Sequence, residues 1–321
     1  MTDSSATAGP GDSDDLARAA AIFTTLRPRL FGIAYRMLGS VAEAEDLVQD
    51  VWVRWQLYDR SRVVNPEAFL ATTTTRLAIN ALQSARVRRE TYVGPWLPEP
   101  VDTSADPYLG AERGEALELA ALMLMEKLTP NERAAYVLRE AFGYAYAEVA
   151  DILQSTEPAV RQLVSRARKH MAGERRRQVT PDAQRELLAA FIAAARAGDM
   201  ASLERLFAPD VTSLSDGNGR LGVARKPIVG VPAVQRYLGS FSSWFWNDVD
   251  VRWVSANGQP CAVLLRNGAE FGVVAVGATT EGIDHLLWLL NPEKITSVSD
   301  AISSPPSKIT VVPGRARRQR G

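Results

Sequence analysis

The stretch at residues 144–169 reads YAYAEVADILQSTEPAVRQLVSRARK and contains two amphipathic segments joined by a short polar turn. In both segments apolar residues recur at helical spacing: Ala147, Val149, Ala150, Ile152 and Leu153, then Val160, Leu163, Val164 and Ala167. Ser155 and Thr156 are N-cap types, and Glu157 and Pro158 suit a first helical turn. The pattern predicts a helix-turn-helix.

The second segment also presents a polar, mostly basic face. Its members are Arg161, Gln162, Ser165, Arg166, Arg168 and Lys169. Such a helix fits the major groove of DNA, where side chains near its N-terminus read base edges and Arg and Lys bind phosphates. A helical hairpin with a solvated basic face is the alternative.

The composition of the chain limits which classes of protein it can belong to. Its 321 residues suffice for two or three domains, and its 37 basic and 37 acidic side chains balance, which a DNA-binding protein tolerates when the charges are segregated. A single cysteine, Cys261, excludes an internal disulfide, and with two histidines we expect no metal site and no cofactor. Cys261 lies in an apolar run and is expected to be a buried structural thiol. No apolar run reaches about 18 residues and the N-terminus is unlike a secretory signal, so we expect a cytoplasmic protein.

Residues 16–92 have helical spacing, and one helix there has an acidic face. The segment VAEAEDLVQDVWVRWQLY (41–58) would bury Ala44, Leu47, Val48, Val51 and Trp55. Its other face carries Glu43, Glu45, Asp46, Gln49 and Asp50. That face is either a solvated surface or a docking face for a basic partner.

The next predicted helix, NPEAFLATTTTRLAINALQSARVRRE (65–90), ends in a basic cluster of Arg86, Arg88 and Arg89. The hydroxyls of Thr72 to Thr75 could contact phosphates or bases, or could bond back to the helix backbone. Together with Asn80 and Gln83, the basic end suits a nucleic-acid backbone better than a membrane.

The remaining chain divides into five parts. Residues 93–114 are a proline-rich linker whose Trp96 and Leu97 should lie against a surface, and 115–178 are helical. From Thr180 to about residue 300, helices are followed by strands, which predicts an α+β cone-like domain with an antiparallel sheet. Disorder is expected in the tails, 1–15 and the basic 301–321.

Several segments resemble one family in their order and spacing. DLVQDVWVRW (46–55) and LTPNERAAYVLREAFGYAYAEVADIL (128–153) resemble the extracytoplasmic-function (ECF) sigma factors of the sigma-70 family. WLPEP (96–100), DGNGR (216–220) and NPEKI (291–295) look like a SigJ-like subgroup with a fused C-terminal SnoaL-like domain of the NTF2-like fold. The resemblance covers about residues 16 to 300.

The resemblance implies a multidomain fold of two all-α sigma domains followed by the α+β cone. Residues 16–92 would be sigma domain 2, binding core polymerase and the −10 element, and 115–178 would be sigma domain 4, binding the −35 element. Residues 180–300 would be a regulatory SnoaL-like domain. The implied partners are the β′ and β subunits of RNA polymerase core and promoter DNA. The free protein is expected to be a monomer without enzymatic activity.

The resemblance also implies site residues. Core polymerase would be bound by Asp46, Leu47, Val48, Gln49, Asp50 and Trp52. The −10 element would be bound by Thr72, Thr75, Arg76, Asn80, Gln83, Arg86, Arg88 and Arg89. The −35 element would be bound by Tyr146, Glu157, Arg161, Gln162, Ser165, Arg166, Arg168 and Lys169. Inter-domain regulatory contacts would be made by Trp96, Leu97, Pro98, Glu99, Pro100, Asp216, Gly217, Gly219, Arg220, Asn291, Pro292, Glu293 and Lys294.

Four positions depart from the pattern. Asn218 replaces a glycine of the DGNGR loop, Gln154 replaces a common glycine of the helix-turn-helix turn, and Asn80 and Gln83 stand where acidic and basic residues are frequent. Asn tolerates positive φ, so the loop can keep its turn.

Two alternative functions stay open at this stage. One is a one-component, ligand-sensing DNA-binding regulator, and the other is a small-molecule enzyme with an appended DNA-binding module. The C-terminal acid–base candidates are Asp216, Glu270, Asp284 and His285, with Arg220 and Arg252 as charge partners. Asp284 and His285 are adjacent on a predicted strand, which would point them to opposite faces. Whether this domain binds a small molecule stays undecided.

Overall fold

The computed structural model describes residues 10–101, 118–172, 179–220 and 222–299. Residues 1–9, 102–117, 173–178, 221 and 300–321 lie outside the described residues, as do the side chains of Arg86 and Arg88. The expectation of disorder over 1–15 was wrong from Pro10 onward, because the first helix begins there. The helices of the N-terminal half are α1 (Pro10–Leu38), α2 (Val41–Leu57), α3 (Pro66–Glu90), α4 (Leu119–Met125), α5 (Pro130–Tyr136), α6 (Tyr146–Leu153) and α7 (Glu157–Ala172).

The helix boundaries follow from side-chain caps. The Ser40 hydroxyl accepts a hydrogen bond from the Glu43 amide at the start of α2, and Thr129 and Glu132 form a reciprocal capping box at the start of α5. Pro130 occupies the first turn, and α5 continues into a π-helical turn, Val137–Ala141. Gly143, with φ +72°, then ends the helical run.

The predicted helix-turn-helix is formed by α6 and α7. Gln154 adopts the left-handed conformation (φ 51°, ψ 50°) that ends α6, so a residue with a side chain makes the turn usually made by glycine. Val160, Val164 and Ala167 are buried as expected. Ala147 was wrongly assigned to the inward stripe, because it is exposed in the first turn of α6.

The helices on both sides of the linker share one hydrophobic core. A single cluster of buried residues runs from Ala19 and Phe23 in α1 through Trp55 in α2 to Val164 and Met171 in α7. The helix α3 contacts both α5 and α6. The two helical units are therefore packed against each other.

The C-terminal domain places helices and a sheet in sequence. Its helices are α8 (Pro181–Ala197), α9 (Met200–Leu206), α10 (Val231–Phe245) and α11 (Pro292–Ser299). Its strands are β1 (Phe207–Asp216), β2 (Ile228–Val229), β3 (Val249–Ala256), β4 (Gln259–Arg266), β5 (Ala269–Thr279) and β6 (Gly282–Leu289).

Within the described residues the sheet has the order β2-β1-β6-β5-β4-β3. The expectation of an antiparallel sheet was wrong at one pairing, because β1 and β6 run parallel. After β1 the chain forms the edge strand β2 and the helix α10, and it re-enters the sheet at the opposite edge as β3. The antiparallel strands β3, β4, β5 and β6 then lead back to β1, and β6 runs parallel to it. The edge strand β2 is only two residues long.

Both faces of the sheet are covered. On the inner face, Trp288 of β6 packs edge-on against Phe191 of α8 and against Phe241 and Phe245 of α10, with ring centroids 5.8 to 6.0 Å apart. On the outer face, Leu287 and Leu289 belong to a cluster that also contains Leu97, Leu119 and Ile295. The linker therefore covers the sheet, as predicted from its apolar residues.

Two further expectations concern single features of the chain. Cys261 is fully buried on β4, and burial raises the pKa of its thiol to about 12, which fits a structural role. No helix among the described residues is long and apolar enough to cross a bilayer.

Candidate nucleic-acid interface and inter-domain contacts

The polar face of α7 is open to solvent along its length. Exposed residues on it are Glu157, Arg161, Gln162, Ser165, Arg166, Arg168 and Lys169. Two of the arginines are held by carboxylates of the preceding helical segment: Arg166 Nε donates to Glu132 Oε1 at 2.7 Å, and Arg168 Nη2 donates to Glu140 Oε1 at 2.8 Å. Both arginine side chains remain more than half exposed, so they keep N–H groups for an anionic partner.

Tyr146 is half-buried at the start of α6, between two arginines. The guanidinium carbons of Arg161 and Arg139 lie 4.2 and 4.6 Å from its ring centroid. Arg139 in turn donates to the carbonyl of Tyr144 at 2.8 Å. The ring thus connects the recognition helix to the segment before α6.

The threonine run of α3 is largely internal. Thr73 and Thr74 donate to the carbonyls of Phe69 and Leu70, both at 2.8 Å, which is the backbone-bonding alternative. Thr75 is buried and Thr72 is partly buried, whereas Asn80 and Gln83 are exposed.

Arg76, predicted to bind the −10 element, contacts the helix-turn-helix instead. Its Nε donates to the carbonyl of Ile152 at 3.0 Å and its Nη2 to that of Asp151 at 3.3 Å. These carbonyls belong to the last turn of α6, where a cation is stabilised by unsatisfied backbone acceptors. In this arrangement Arg76 joins α3 to α6.

Arg76 stays exposed, whereas Arg89 is largely withdrawn from the surface. It pairs with Glu126, donates to the carbonyl of Leu38, and stacks over Trp96 with its guanidinium carbon 3.5 Å from the ring centroid. Glu126 pairs with Arg133 as well. Burial opposes ionisation of Glu126, but Arg133 and Arg89 outweigh it and hold the pKa of this carboxyl below its ordinary range.

The predicted polymerase-docking residues of α2 divide into two groups. Asp46, Gln49 and Asp50 are exposed on one face. Leu47, Val48 and Trp52 are buried and are therefore not part of the exposed docking face. They face the core because their spacing continues the apolar stripe of α2. The Trp52 ring packs 5.0 Å from that of Phe23.

The carboxylate of Asp216 in the DGNGR loop collects three donors from other parts of the chain. It accepts from the Leu97 amide at 2.8 Å, from Lys294 Nζ at 2.7 Å, and from the Tyr92 hydroxyl. Lys294 Nζ also donates to the carbonyl of Leu97 at 2.6 Å. Asp216 and Lys294 are almost completely buried, so this pair joins WLPEP, DGNGR and NPEKI in one network. Burial lowers the pKa of Lys294, although Asp216 opposes the shift.

Trp96 lies at the centre of the same contact. Lys294 Nζ is 4.2 Å from its ring centroid, so the ring contacts cations from both α3 and α11. The ring also covers Gly39, where an added Cβ would come within 2.8 Å of Trp96. Gly39 (φ +70°) is therefore required both by the turn and by the close approach of Trp96.

Glu99 of the linker caps α2. Its carboxylate accepts from the Ser40 hydroxyl at 2.8 Å and from the Val41 amide at 2.7 Å. A carboxylate at a helix N-terminus is favoured by the helix dipole. The linker thus reaches the helix that carries the exposed acidic face.

Asn257 and Tyr35 also belong to the contact between the linker and the C-terminal domain, although the sequence does not indicate it. Asn257 of the β3–β4 turn is fully buried, donates to the Tyr35 hydroxyl at 2.7 Å, and accepts from the Val101 amide at 2.9 Å. Tyr35 donates to the carbonyl of Glu99 at 2.5 Å. An Asn-Gly pair predicts a hairpin turn, and nothing in its local sequence indicates that its side chain reaches α1 and the linker.

Of the other residues predicted to make inter-domain contacts, some bond to the segment around the linker and others do not. Gly219 donates to the carbonyl of Val93 at 3.1 Å, and Asn291 donates to the Tyr92 hydroxyl at 3.0 Å. Arg220 is exposed and donates within its own domain, to the carbonyl of Leu290 at 3.4 Å. Pro292 and Glu293 are exposed in the first turn of α11, with Asn291 bonded to the Glu293 amide. Asn218 has φ +45°, so the loop keeps its turn without the glycine.

The acid–base candidates of the C-terminal domain make separate contacts in different parts of that domain. Asp216 is used in the linker network, and Glu270 pairs with Arg252. The prediction that Asp284 and His285 point apart was wrong: Asp284 Oδ1 lies 3.1 Å from His285 Nδ1. A register shift opposite Gly277 and Ala278 breaks the alternation, and both side chains lie over Gly277. Among the described residues, no cluster of three or more His, Cys, Asp or Glu could hold a metal ion.

These features together define a class of protein. An exposed basic recognition helix, a second helical unit with an acidic helix face, and an appended α+β sheet domain are the parts of a multidomain DNA-binding transcription protein.

Comparison with known proteins specifies the family. Residues 22–88 match the model of sigma-70 region 2, and residues 118–171 match that of sigma-70 region 4. The ECF RNA polymerase sigma factor SigJ of Mycobacterium tuberculosis is 41% identical, over 67% of this chain and 70% of the relative. The probable sigma factor SigI of the same organism is 30% identical over 84% of this chain and 92% of its own length. The crystal structure of M. tuberculosis SigJ aligns with a TM-score of 0.69 at 32% identity, covering 87% of this chain and 99% of that chain.

The chain belongs to the ECF RNA polymerase sigma factors, which direct transcription initiation. The predicted fold class, two helical sigma regions followed by an α+β domain of SnoaL-like architecture, is confirmed.

Proposed function

We propose that this sigma factor binds the β′ subunit of core polymerase through the exposed acidic face of α2, formed by Asp46, Gln49 and Asp50. Charge complementarity supports the proposal, because a rigid acidic helix suits a basic partner surface and accelerates association. The action of the factor on polymerase and DNA implies the cytoplasm as its compartment.

Two further helices contact the promoter in this proposal. The recognition helix α7 reads the −35 element in the major groove, and α3 with its basic end engages the −10 element. The observation that carries the proposal is the exposure of the whole polar face of α7, in a chain that also presents the acidic face of α2. Opening the −10 element costs unstacking energy, which pocket contacts and phosphate contacts must offset.

We further propose that the C-terminal domain regulates the sigma regions from within the chain. The Asp216–Lys294 pair holds the linker, and the linker holds α2 and Arg89. Arg76 and Arg89 are engaged inside the protein in this arrangement. Binding of the −10 element by these side chains therefore requires α3 to separate from α6 and from Glu126.

The alternative functions receive less support. A one-component regulator needs neither the acidic face of α2 nor a second basic helix. For the enzyme alternative, the inner face of the sheet is filled by Phe191, Phe241, Phe245 and Trp288, which favours packing over a substrate chamber. A protein-contact role for the domain agrees best with its buried network to the linker.

The experiment that tests the proposed function is reconstituted transcription with the full chain, core polymerase and a genomic promoter library. We expect initiation at a defined set of promoters. Asp46→Lys combined with Asp50→Lys should lower the affinity for core polymerase at least tenfold, because like charges then face the basic partner. Glu186→Lys and Asp250→Lys, two reversals at exposed acidic positions of the C-terminal domain, form the matched control. Equal loss in both double variants, or initiation independent of the protein, would contradict the proposal.

A further inference from the structure

The aromatic ring of Tyr146 occupies an unusual position in the helix-turn-helix. It is the first residue of α6, it is half-buried, and guanidinium groups of two arginines lie over its ring. Arg161, at 4.2 Å, belongs to the first turns of the recognition helix, where side chains reach base edges. Arg139, at 4.6 Å, belongs to the segment that precedes α6.

The two arginines are anchored differently. Arg139 is tied to the backbone by its hydrogen bond to the Tyr144 carbonyl at 2.8 Å. Arg161 has a side chain that is 58% exposed, and its other contact is a hydrogen bond from Nη2 to Glu157 Oε2 at 3.2 Å, one turn earlier on the same helix. The ring and the Glu157 carboxylate therefore hold the Arg161 guanidinium from two directions.

Stacking has a specific consequence for an arginine that reads DNA. It engages the face of the guanidinium and leaves the N–H groups in its plane available, and those in-plane donors match O6 and N7 of guanine. A free arginine side chain loses much rotamer freedom when it binds, whereas a stacked one is already ordered. The phenol ring can thus set the direction of Arg161 without touching DNA.

We propose that Tyr146 is a positioning residue that fixes Arg161 for guanine recognition in the −35 element, and that it makes no base contact of its own. The inference rests on the proposed −35 role of α7. It revises the expectation that Tyr146 itself binds DNA.

The test uses the full chain with core polymerase on promoters randomised across the −35 element, comparing Arg161→Ala, Tyr146→Leu, Tyr146→Phe and the double variant Tyr146→Leu/Arg161→Ala. Arg161→Ala should reduce the preference for guanine at one base pair about tenfold. Tyr146→Leu should reduce the preference at the same base pair several-fold and leave other positions unchanged. Tyr146→Phe keeps the ring and should behave as the native chain. The double variant should match Arg161→Ala, because the tyrosine acts through the arginine.

Three outcomes would overturn the inference. They are a uniform loss in Tyr146→Leu at every −35 sequence, a loss of preference in Tyr146→Phe, and a further loss of preference in the double variant. Failure of the underlying −35 role would look different, since Arg161→Ala and Gln162→Ala, at two exposed positions of α7, would then both leave promoter preference unchanged.

Discussion

At the scale of single residues, the turn of the helix-turn-helix depends on the backbone of Gln154. A side-chain-bearing residue in the left-handed conformation costs about 1–2 kcal/mol, because its Cβ crowds the carbonyl oxygen that follows. Gln154 is exposed, so its side chain recovers little of that cost by packing. The helix-turn-helix therefore carries backbone strain at a position that points to solvent.

Replacing Gln154 by glycine should stabilise α6 and α7. Glycine relieves the backbone strain, but it also gives the unfolded chain more conformational freedom. The net increase in the free energy of unfolding is expected to be about 1 kcal/mol. Hydrogen exchange of the amides in residues 146–171 should slow by about fivefold, a factor that follows from this free energy. Gln154→Ala keeps the Cβ and is the control. Equal slowing in the alanine variant would show that the left-handed backbone is not the cause.

Single residues also mark where sequence-based prediction succeeds and fails. The caps at Thr129 and Pro130 were predictable because a cap bonds to its own helix, a few residues away. Asn257 and Tyr35 were not, because their bond spans 222 positions of the chain. An Asn-Gly turn has the same local sequence whether its amide is solvated or buried against another domain.

At the scale of elements, α3 combines a packed helix with a predicted DNA-binding helix. The hydroxyls of Thr73 and Thr74 donate to backbone carbonyls within the helix, while Arg76 and Arg89 connect α3 to α6 and to Glu126. Helical periodicity identified the helix correctly. It could not distinguish an arginine that is available to bind phosphate from one that is bonded to other parts of the same chain. The same limit applies to α2, where Trp52 lies on the apolar stripe and is buried.

The carboxyl of Glu126 makes the packing of α3 dependent on pH. Because its folded pKa lies below the unfolded value of about 4.3, the ionised carboxylate contributes stability that is fully present above that value and is lost as the pH falls through the folded pKa. Glu126→Gln should therefore lower the thermal midpoint at about pH 6 and flatten its decline below about pH 4.3. Glu186→Gln, at an exposed site of α8, is the control. A decline as steep in Glu126→Gln as in the native chain would disprove the role of Glu126.

Strand order and register were less predictable than helices. Alternation along β6 predicted opposite directions for Asp284 and His285, but a bulge turned both towards Gly277. A bulge depends on the partner strand, so the sequence of one strand does not reveal it. The parallel pairing of β1 and β6 has the same origin, since it is set by the path of the chain between them.

At the scale of the whole molecule, one buried ion pair connects three distant segments. Asp216 and Lys294 belong to the C-terminal domain, and both bond to Leu97 of the linker. Glu99, two residues further on, caps the helix with the acidic face. The resemblance of the three motifs to one subgroup indicated that they belong together, but the donors and acceptors could not be assigned without the structure.

Replacing Asp216 by asparagine should therefore loosen the linker. The substitution leaves the buried charge of Lys294 without its ionic partner, which costs about 3 kcal/mol. Amide exchange across residues 93–101 should accelerate by about a hundredfold if that cost is borne locally. Asp250→Asn, at an exposed position of β3, is the matched control. Adding Lys294→Met removes the unpaired charge and should restore part of the protection, which separates loss of the ion pair from general misfolding.

The same variants test regulation by the C-terminal domain. If the pair holds the sigma regions in the arrangement that engages Arg76 and Arg89, then Asp216→Asn should change promoter output with core polymerase, and Asp250→Asn should not. The change should follow the exchange rate of the linker across the variant series, because both depend on the same contact. If amide exchange in the linker accelerates and transcription does not change, the contact does not regulate the sigma regions. The C-terminal domain would then only support the linker structurally.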